Sequence, residues 1–221
     1  MHIIGNLVII GTSHIAKQSI EEVKQAIEKI QPDVIALELD VKRFHRLISK
    51  EKTRLKFSDI GKKGFLLNLI GAYIERYLGK KVGVMPGAEM KEAIQLAKKR
   101  KIKLALIDQD IEITLRKLKA RFTLKEKLRL LKNIFLAPFT ARKLSIDLTK
   151  VPEQKFINKL TSKVKQEYPS VYTTLISERD EIMSSRLAEL MQKNEKVLAV
   201  VGAGHISGIK RLITWKLAKK K

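Results

Sequence analysis

The sequence predicts an α/β protein: a largely parallel sheet of about four or more strands, with a helical insertion between the third and fourth of those strands. Three observations carry that prediction. Leu7–Ile10, Val34–Leu37, Leu104–Ile107 and Val197–Val201 are short, continuous apolar runs, as expected of strands buried on both faces. The first two flank an amphipathic helical pattern, and strand–helix–strand over about 30 residues is a βαβ unit whose strands run parallel. From about residue 111 to 195 the pattern is mainly helical, with no strand signal.

In chain order, Leu7–Ile10 leaves the core through Gly11-Thr12-Ser13-His14. Ser19 and Glu22 then have the spacing of a capping box, and Ile20, Val23, Ile27 and Ile30 share one helical face until Pro32. Val34–Leu37 ends at Glu38-Leu39-Asp40, and parallel pairing of these first two strands predicts that His14 and Glu38 lie near each other. Val41–Ile48 reads as helix, residues 50–64 as a basic connection, and 65–78 as an apolar helix that needs burial. A loop from Gly79 to Gly87 leads to Glu89, Met90 and a helix with Ala93, Ile94 and Ala97 inward. Leu104–Ile107 ends at Asp108-Gln109-Asp110. In the helical block, breaks are expected at Pro138, Pro152 and Pro169; its last helix, about residues 170–193, carries Glu178-Arg179-Asp180 and an apolar face of Leu187, Leu190 and Met191. Val197–Val201 exits through Gly202-Ala203-Gly204-His205 into a final helix with Ile209 and Leu212 inward. The whole chain, 1–221, reads as one domain with a helical lobe at about 111–195.

Composition narrows the functional classes. With 44% hydrophobic and 31% charged residues, the chain has the balance of a folded globular protein. Cysteine is absent, which removes disulfides and thiolate metal ligands. Residues Met1–Ile10 have neither the basic leader nor the apolar length of a signal peptide, so a cytoplasmic location is expected. Asn68, Glu75 and Arg76 interrupt the longest apolar stretch, which argues against a spanning helix within these residues; a membrane segment is expected, if anywhere, beyond Lys221. The formal net charge of +23 suits an anionic partner, including an anionic membrane surface. Only 5% of residues are aromatic and none interleave with basic runs, which counts against nucleic-acid binding as the main role.

The chemical signal is the set of strand exits. Ligands of open α/β sheets bind outside the carboxyl ends of the strands, where this sequence places His14, Glu38, Asp108 and His205. Two imidazoles and one carboxylate form a ligand set suited to a catalytic divalent ion, which makes His14, Glu38 and His205 candidate metal ligands. Gly11, Gly202 and Gly204 permit tight turns off buried strands and close approach of a ligand. Plainer readings stand beside these. Glu38 pairs with Arg43; Glu178 and Arg179 belong to a solvated helix face; Asp108 and Asp110 cap the next helix; Glu89 and Glu92 complement a helix dipole; His2 and His45 are surface residues.

The motifs Gly11-Thr12-Ser13-His14, Ala36-Leu37-Glu38-Leu39-Asp40 with Arg43, Gly87-Ala88-Glu89-Met90, Asp108-Gln109-Asp110 with Thr114-Leu115-Arg116, Glu178-Arg179-Asp180, and Gly202-Ala203-Gly204-His205 resemble, in this order, the TraB/PrgY/GumN family. That family includes bacterial pheromone-shutdown proteins and is related to the Tiki proteases. The resemblance extends from Leu7 to about Leu212, with one departure: Asp108-Gln109 stands where the family usually has Asp-Arg. It implies an erythromycin-esterase/ChaN-like core and a metal-dependent hydrolase that cleaves or inactivates peptides, using manganese or cobalt, with zinc also compatible. The alternatives are a peptide-binding module that sequesters a pheromone-like peptide without turnover and, behind it, a basic nucleic-acid-binding protein. On this reading His14, Glu38 and His205 hold the ion, and Glu38 serves as third ligand or general base. Arg179 stabilises an oxyanion or holds a substrate carboxylate, while Asp108 and Glu89 orient the histidines and Ser13 and Arg43 line the site.

Overall fold

A computed structural model of the chain describes residues 1–12, 17–49, 87–140 and 154–219. Five strands form one sheet in the order β1-β2-β5-β3-β4. They are β1 (His2–Ile4), β2 (Leu7–Thr12), β3 (Val34–Leu37), β4 (Lys103–Leu106) and β5 (Val197–Gly202). All neighbouring pairs are parallel except β1 with β2. The four sequence-predicted strands are present, each within a residue or two of its apolar run. Strand β1 was not expected. Gly5, with φ of 56°, and Asn6 turn it back antiparallel onto β2, pairing Ile4 with Leu7.

Strand β5 is buried along its whole length because it pairs on both sides, Val200 facing Ile10 of β2 and Leu37 of β3. Its apolar run therefore has no polar alternation. It also separates β2 from β3: the two strands of the βαβ unit are parallel, as predicted, but not adjacent.

Each strand feeds side chains to both faces, and helices cover both. On one face α1 (Lys17–Ile30) and α3 (Ala88–Arg100) pack Val23, Ile27, Ala93, Ile94 and Ala97 against Ile35, Leu37, Leu198 and Val200. On the other, α8 (Glu178–Lys193) and α9 (Ile206–Ala218) pack Met183, Leu187, Ile209 and Ile213 against Leu7, Ile9, Ala199 and Val201. Full burial of one such side chain contributes about 1.5–3 kcal/mol. The inward phase of α9 runs through Ile206, Ile209 and Ile213, with Leu212 only half-buried.

One helix-boundary expectation is corrected. Ser19 lies two residues inside α1 and is fully buried, so it belongs to the face that packs on the sheet and does not head a capping box. Pro138 lies in α5 (Leu124–Thr140), two residues before the last residue described there. The remaining helices are α2 (Val41–Ile48), α4 (Ile111–Arg121), α6 (Gln154–Glu167) and α7 (Pro169–Tyr172), and a π-helical turn, Thr173–Ser177, joins α7 to α8. The expected helix over 65–78, the basic connection before it and the break at Pro152 lie outside the described residues.

Candidate active site

The carboxyl ends of β3, β4 and β5 meet the start of α8, and the side chains delivered there are mostly charged and buried. Glu38 follows β3, and its N–H continues the ladder to Val200 O at 3.1 Å. That places its carboxylate beside the β5 exit, where the Gly202 N–H donates to Oε2 at 2.5 Å. Asp108 follows β4 with its side chain fully buried. His205 closes the Gly-Ala-Gly-His exit and is the cap residue of α9.

Helix α8 contributes two consecutive residues. Arg179 donates from Nε to Asp108 Oδ1 at 2.9 Å, from Nη2 to Asp108 Oδ2 at 2.6 Å and to Glu38 Oε1, and from Nη1 to Leu175 O at 3.1 Å. A guanidinium carries five N–H donors, so most of this one is committed to the protein itself. Asp180 accepts from His205 Nδ1 at 2.6 Å, which turns His205 Nε2 toward Glu38 Oε1 at 3.4 Å. A helix residue next to the π-helical turn Thr173–Ser177 can be reoriented relative to regular α-helix, and such turns recur at functional sites.

The second layer is also ionic. Arg43 donates from Nε to Asp40 Oδ2 at 2.7 Å and reaches Asp108 through Nη2. Asp40 caps α2 by accepting from the Arg43 N–H, so one aspartate both starts the helix and holds its arginine. Arg186 Nη1 donates to the Asp108 carbonyl at 2.7 Å.

These contacts fix the protonation tendencies. Burial disfavours the Glu38 charge, but His205, Arg179 and the Gly202 N–H outweigh it and hold the carboxyl well below the ordinary range. Asp108 is likewise lowered, burial being overcome by the two bonds from Arg179 and by Arg43. For His205, burial favours the neutral ring, yet Glu38 and Asp180 push its pKa up to about 9. Asp180 is raised, because its burial outweighs what His205 returns to it.

The sequence-predicted residues sort as follows. Glu38, Arg179, Asp108, Arg43, Gly202 and His205 come together. Gly11 is closely packed: a Cβ there would lie 2.1 Å from Ile206 Cδ1 and 3.2 Å from Ala203 Cα, so Ile206 would have to shift to admit a side chain. A Cβ at Gly204 would meet no described residue within 4 Å beyond its chain neighbours. Glu89 is buried in the first turn of α3. His14 and Ser13 lie outside the described residues. The carboxylate that orients His205 is Asp180, while Asp108 engages the two arginines. Asp110 does cap α4, accepting from the Glu112 N–H at 2.7 Å. Gln109, the departure from the family pattern, is buried against Thr114 Oγ1 at 2.8 Å; Arg179 and Arg43 supply positive charge at this edge.

Sequence reasoning named Asp180 within the Glu178-Arg179-Asp180 motif but gave it no role, and did not single out Gly208. A Cβ at Gly208 would sit 1.9 Å from Asp180 Oδ2, so the glycine in α9 makes room for the carboxylate that holds His205. A glycine inside an otherwise regular helical pattern was the available signal.

Among the described residues no group of three or more His, Asp or Glu side chains is arranged to hold a metal ion. Two donors of the predicted set do converge, Glu38 Oε1 and His205 Nε2. A carboxylate on the other imidazole nitrogen, as Asp180 provides, is the usual support of a metal-ligating histidine. The donor chemistry fits a divalent ion as far as those two ligands go. The Arg179 guanidinium on the same Glu38 oxygen opposes a second cation there.

Known proteins are similar to this chain in sequence. An uncharacterized protein of Methanocaldococcus jannaschii is 39% identical over 216 residues, covering 94% of this chain and 53% of that protein. The TraB domain-containing proteins of Bos taurus and Homo sapiens are each 24% identical over 233 residues, covering 92% of this chain and 61% of theirs. The chain thus spans a little over half the length of the curated relatives it matches. The model of the TraB/PrgY/gumN family matches residues 5–220, a span that takes in every strand exit described above from Gly11 to His205, and the chain belongs to that family.

Proposed function

We propose that this chain is a metal-dependent hydrolase that cleaves peptides at the carboxyl edge of its sheet. One observation carries the reading: His205 is held at Nδ1 by Asp180 so that Nε2 faces Glu38 Oε1. Glu38, His205 and His14 would hold the ion, with manganese or cobalt the first choices. Bound in such a site, a divalent ion polarises a carbonyl and makes water acidic enough to attack near neutral pH. The chain's own residues have defined parts. Asp180 sets the tautomer and orientation of His205, and the Gly202 N–H and Arg179 keep Glu38 ionised, as a ligand or base must be. Arg179 contributes the positive field that a developing oxyanion or a substrate carboxylate requires. The sheet and the helical lobe act as one domain on this reading, since Arg179 and Asp180 come from the lobe and their partners from the sheet.

The test incubates the purified chain with manganese or cobalt and a mixed peptide library, with and without chelator, and reads the products by mass spectrometry. Cleavage that chelator stops, and that Glu38→Gln and His205→Ala both lack, is the expected result. Peptides left intact, or cleavage indifferent to chelator, overturn it. A second reading, a peptide-binding module without turnover, draws support from Arg179, which already neutralises Glu38 without any metal. It predicts stoichiometric peptide binding that survives chelation.

A further inference from the structure

Helix α5 turns an apolar face outward. Leu124, Leu128 and Leu131 are 70%, 58% and 42% exposed, respectively. Spaced by four and three residues, they lie in one stripe along the helix. Three polar tethers hold the opposite side inward. Buried Glu126 accepts from the Ser170 N–H at 2.9 Å, Arg129 reaches Glu167 O at 2.5 Å, and Asn133 donates to Tyr168 Oη at 2.8 Å. The helix therefore cannot roll its leucines under without giving up these bonds.

The surroundings of the stripe say what covers it. At about 3.6 residues per turn, Lys127 flanks the leucines on one side and Lys125 and Lys132 on the other, all three exposed. The span 111–133 holds eight basic residues against two acidic ones, with Lys117 and Arg121 paired to Glu178. Neither acid offsets the face: Glu126 is buried and Glu112 is paired with Lys42. A second copy of this chain would bring the same lysines against themselves, at a net charge of +23 on each partner. A nucleic acid would match the lysines but leave the leucines without apolar cover. An anionic lipid surface matches both, because acyl chains receive the leucines and headgroups the ammonium groups, whose stems lie along the apolar boundary. No helix among the described residues is long and apolar enough to cross a membrane, so the contact is interfacial.

We propose that α5 docks the protein on anionic membrane surfaces through Leu124, Leu128 and Leu131, with Lys125, Lys127 and Lys132 as the flanking charges. The inference is independent of the hydrolase reading. Co-sedimentation of the full chain with phosphatidylcholine vesicles, with and without phosphatidylserine, at low and high salt, tests it. The expected result is binding to the phosphatidylserine vesicles alone, weakened at least tenfold by Leu128→Asp and by Lys127→Glu with Lys132→Glu, and reduced by salt. All these positions are exposed, and circular dichroism checks that the variants remain folded. Binding unchanged in the variants, or absent from phosphatidylserine vesicles, overturns the proposal. So does a dimer in size-exclusion chromatography that Leu128→Asp dissolves, or a preference for RNA over vesicles that the same variant leaves intact.

Discussion

Glu38 and Glu126 are both buried carboxylates in this chain, and they are satisfied in opposite ways. Glu126 in the helical lobe accepts from the N–H and hydroxyl of Thr123 and the N–H and hydroxyl of Ser170, all neutral donors. Thr123 returns a bond to the Glu126 N–H, so the group is a reciprocal helix cap extended to tie α5 to α7. Glu38 has one neutral donor, Gly202, and otherwise charged partners, Arg179 and His205. Neutral donors saturate a carboxylate and leave its surroundings inert. Charged partners leave a site whose net charge depends on what protonates or binds there.

The largest expected effect breaks the charged cluster. Arg179→Met removes the partner that Glu38 and Asp108 share, leaving Asp108 with Arg43 and Glu38 with His205 and the Gly202 N–H, and the loss should cost about 3–5 kcal/mol in urea unfolding. A loss below about 1 kcal/mol would mean that the cluster is not held as described.

Next, the two carboxylate environments separate on the pH axis. His205 has a folded pKa of about 9 against an ordinary 6.5. Its stabilising contribution, at most about 3 kcal/mol, is fully present below pH 6.5 and lost as pH rises through 9. The Glu126 pKa is lowered, burial being outweighed by the Thr123 and Ser170 bonds, so its contribution is present above 4.5 and lost as the pH falls. The stability gap between the parent and His205→Asn should therefore be full below pH 6.5 and close as the pH rises through 9, whereas the gap for Glu126→Gln should be full above 4.5 and close on the acid side. Gaps that close at the same end would contradict the contrast.

A smaller effect is expected from Glu126→Ala, about 1–3 kcal/mol by thermal unfolding, with ligand binding at the sheet edge unchanged. The smallest belongs to Glu178, next in sequence to Arg179 but facing outward to Lys117 and Arg121. Arg121→Ala should cost less than about 1 kcal/mol, as exposed pairs do.

Much of this was legible in the chain itself, for physical reasons that differ by residue. Strands β3 and β5 were readable because burial on both faces leaves an uninterrupted apolar run; β2 and the half-buried edge strand β4 carry an apolar run too, and the exits followed from where each run stops. The position of β5 between β2 and β3 was not, since strand pairing is a nonlocal choice that leaves no local pattern. Strand β1 is three residues long and lacked the length to register. Glu178 and Arg179 read more readily as a solvated helix face, and the structure divides the run: Glu178 outward, Arg179 and Asp180 inward, immediately after a π-helical turn that helical periodicity cannot show. Asp108 and Asp110 split in the same manner, one buried on Arg179 and the other capping α4.

The central claim is that His205 and Glu38 together bind a divalent ion, with Asp180 as the support of His205. Calorimetric titration of manganese or cobalt into the parent chain, His205→Ala and Asp180→Asn addresses it directly. The account predicts binding to the parent, none to His205→Ala, and an affinity about 10–100-fold weaker for Asp180→Asn. It also predicts that binding weakens as the pH falls, because the ion competes with a proton for the imidazole. Equal affinity in all three proteins, or no uptake by the parent, would contradict it.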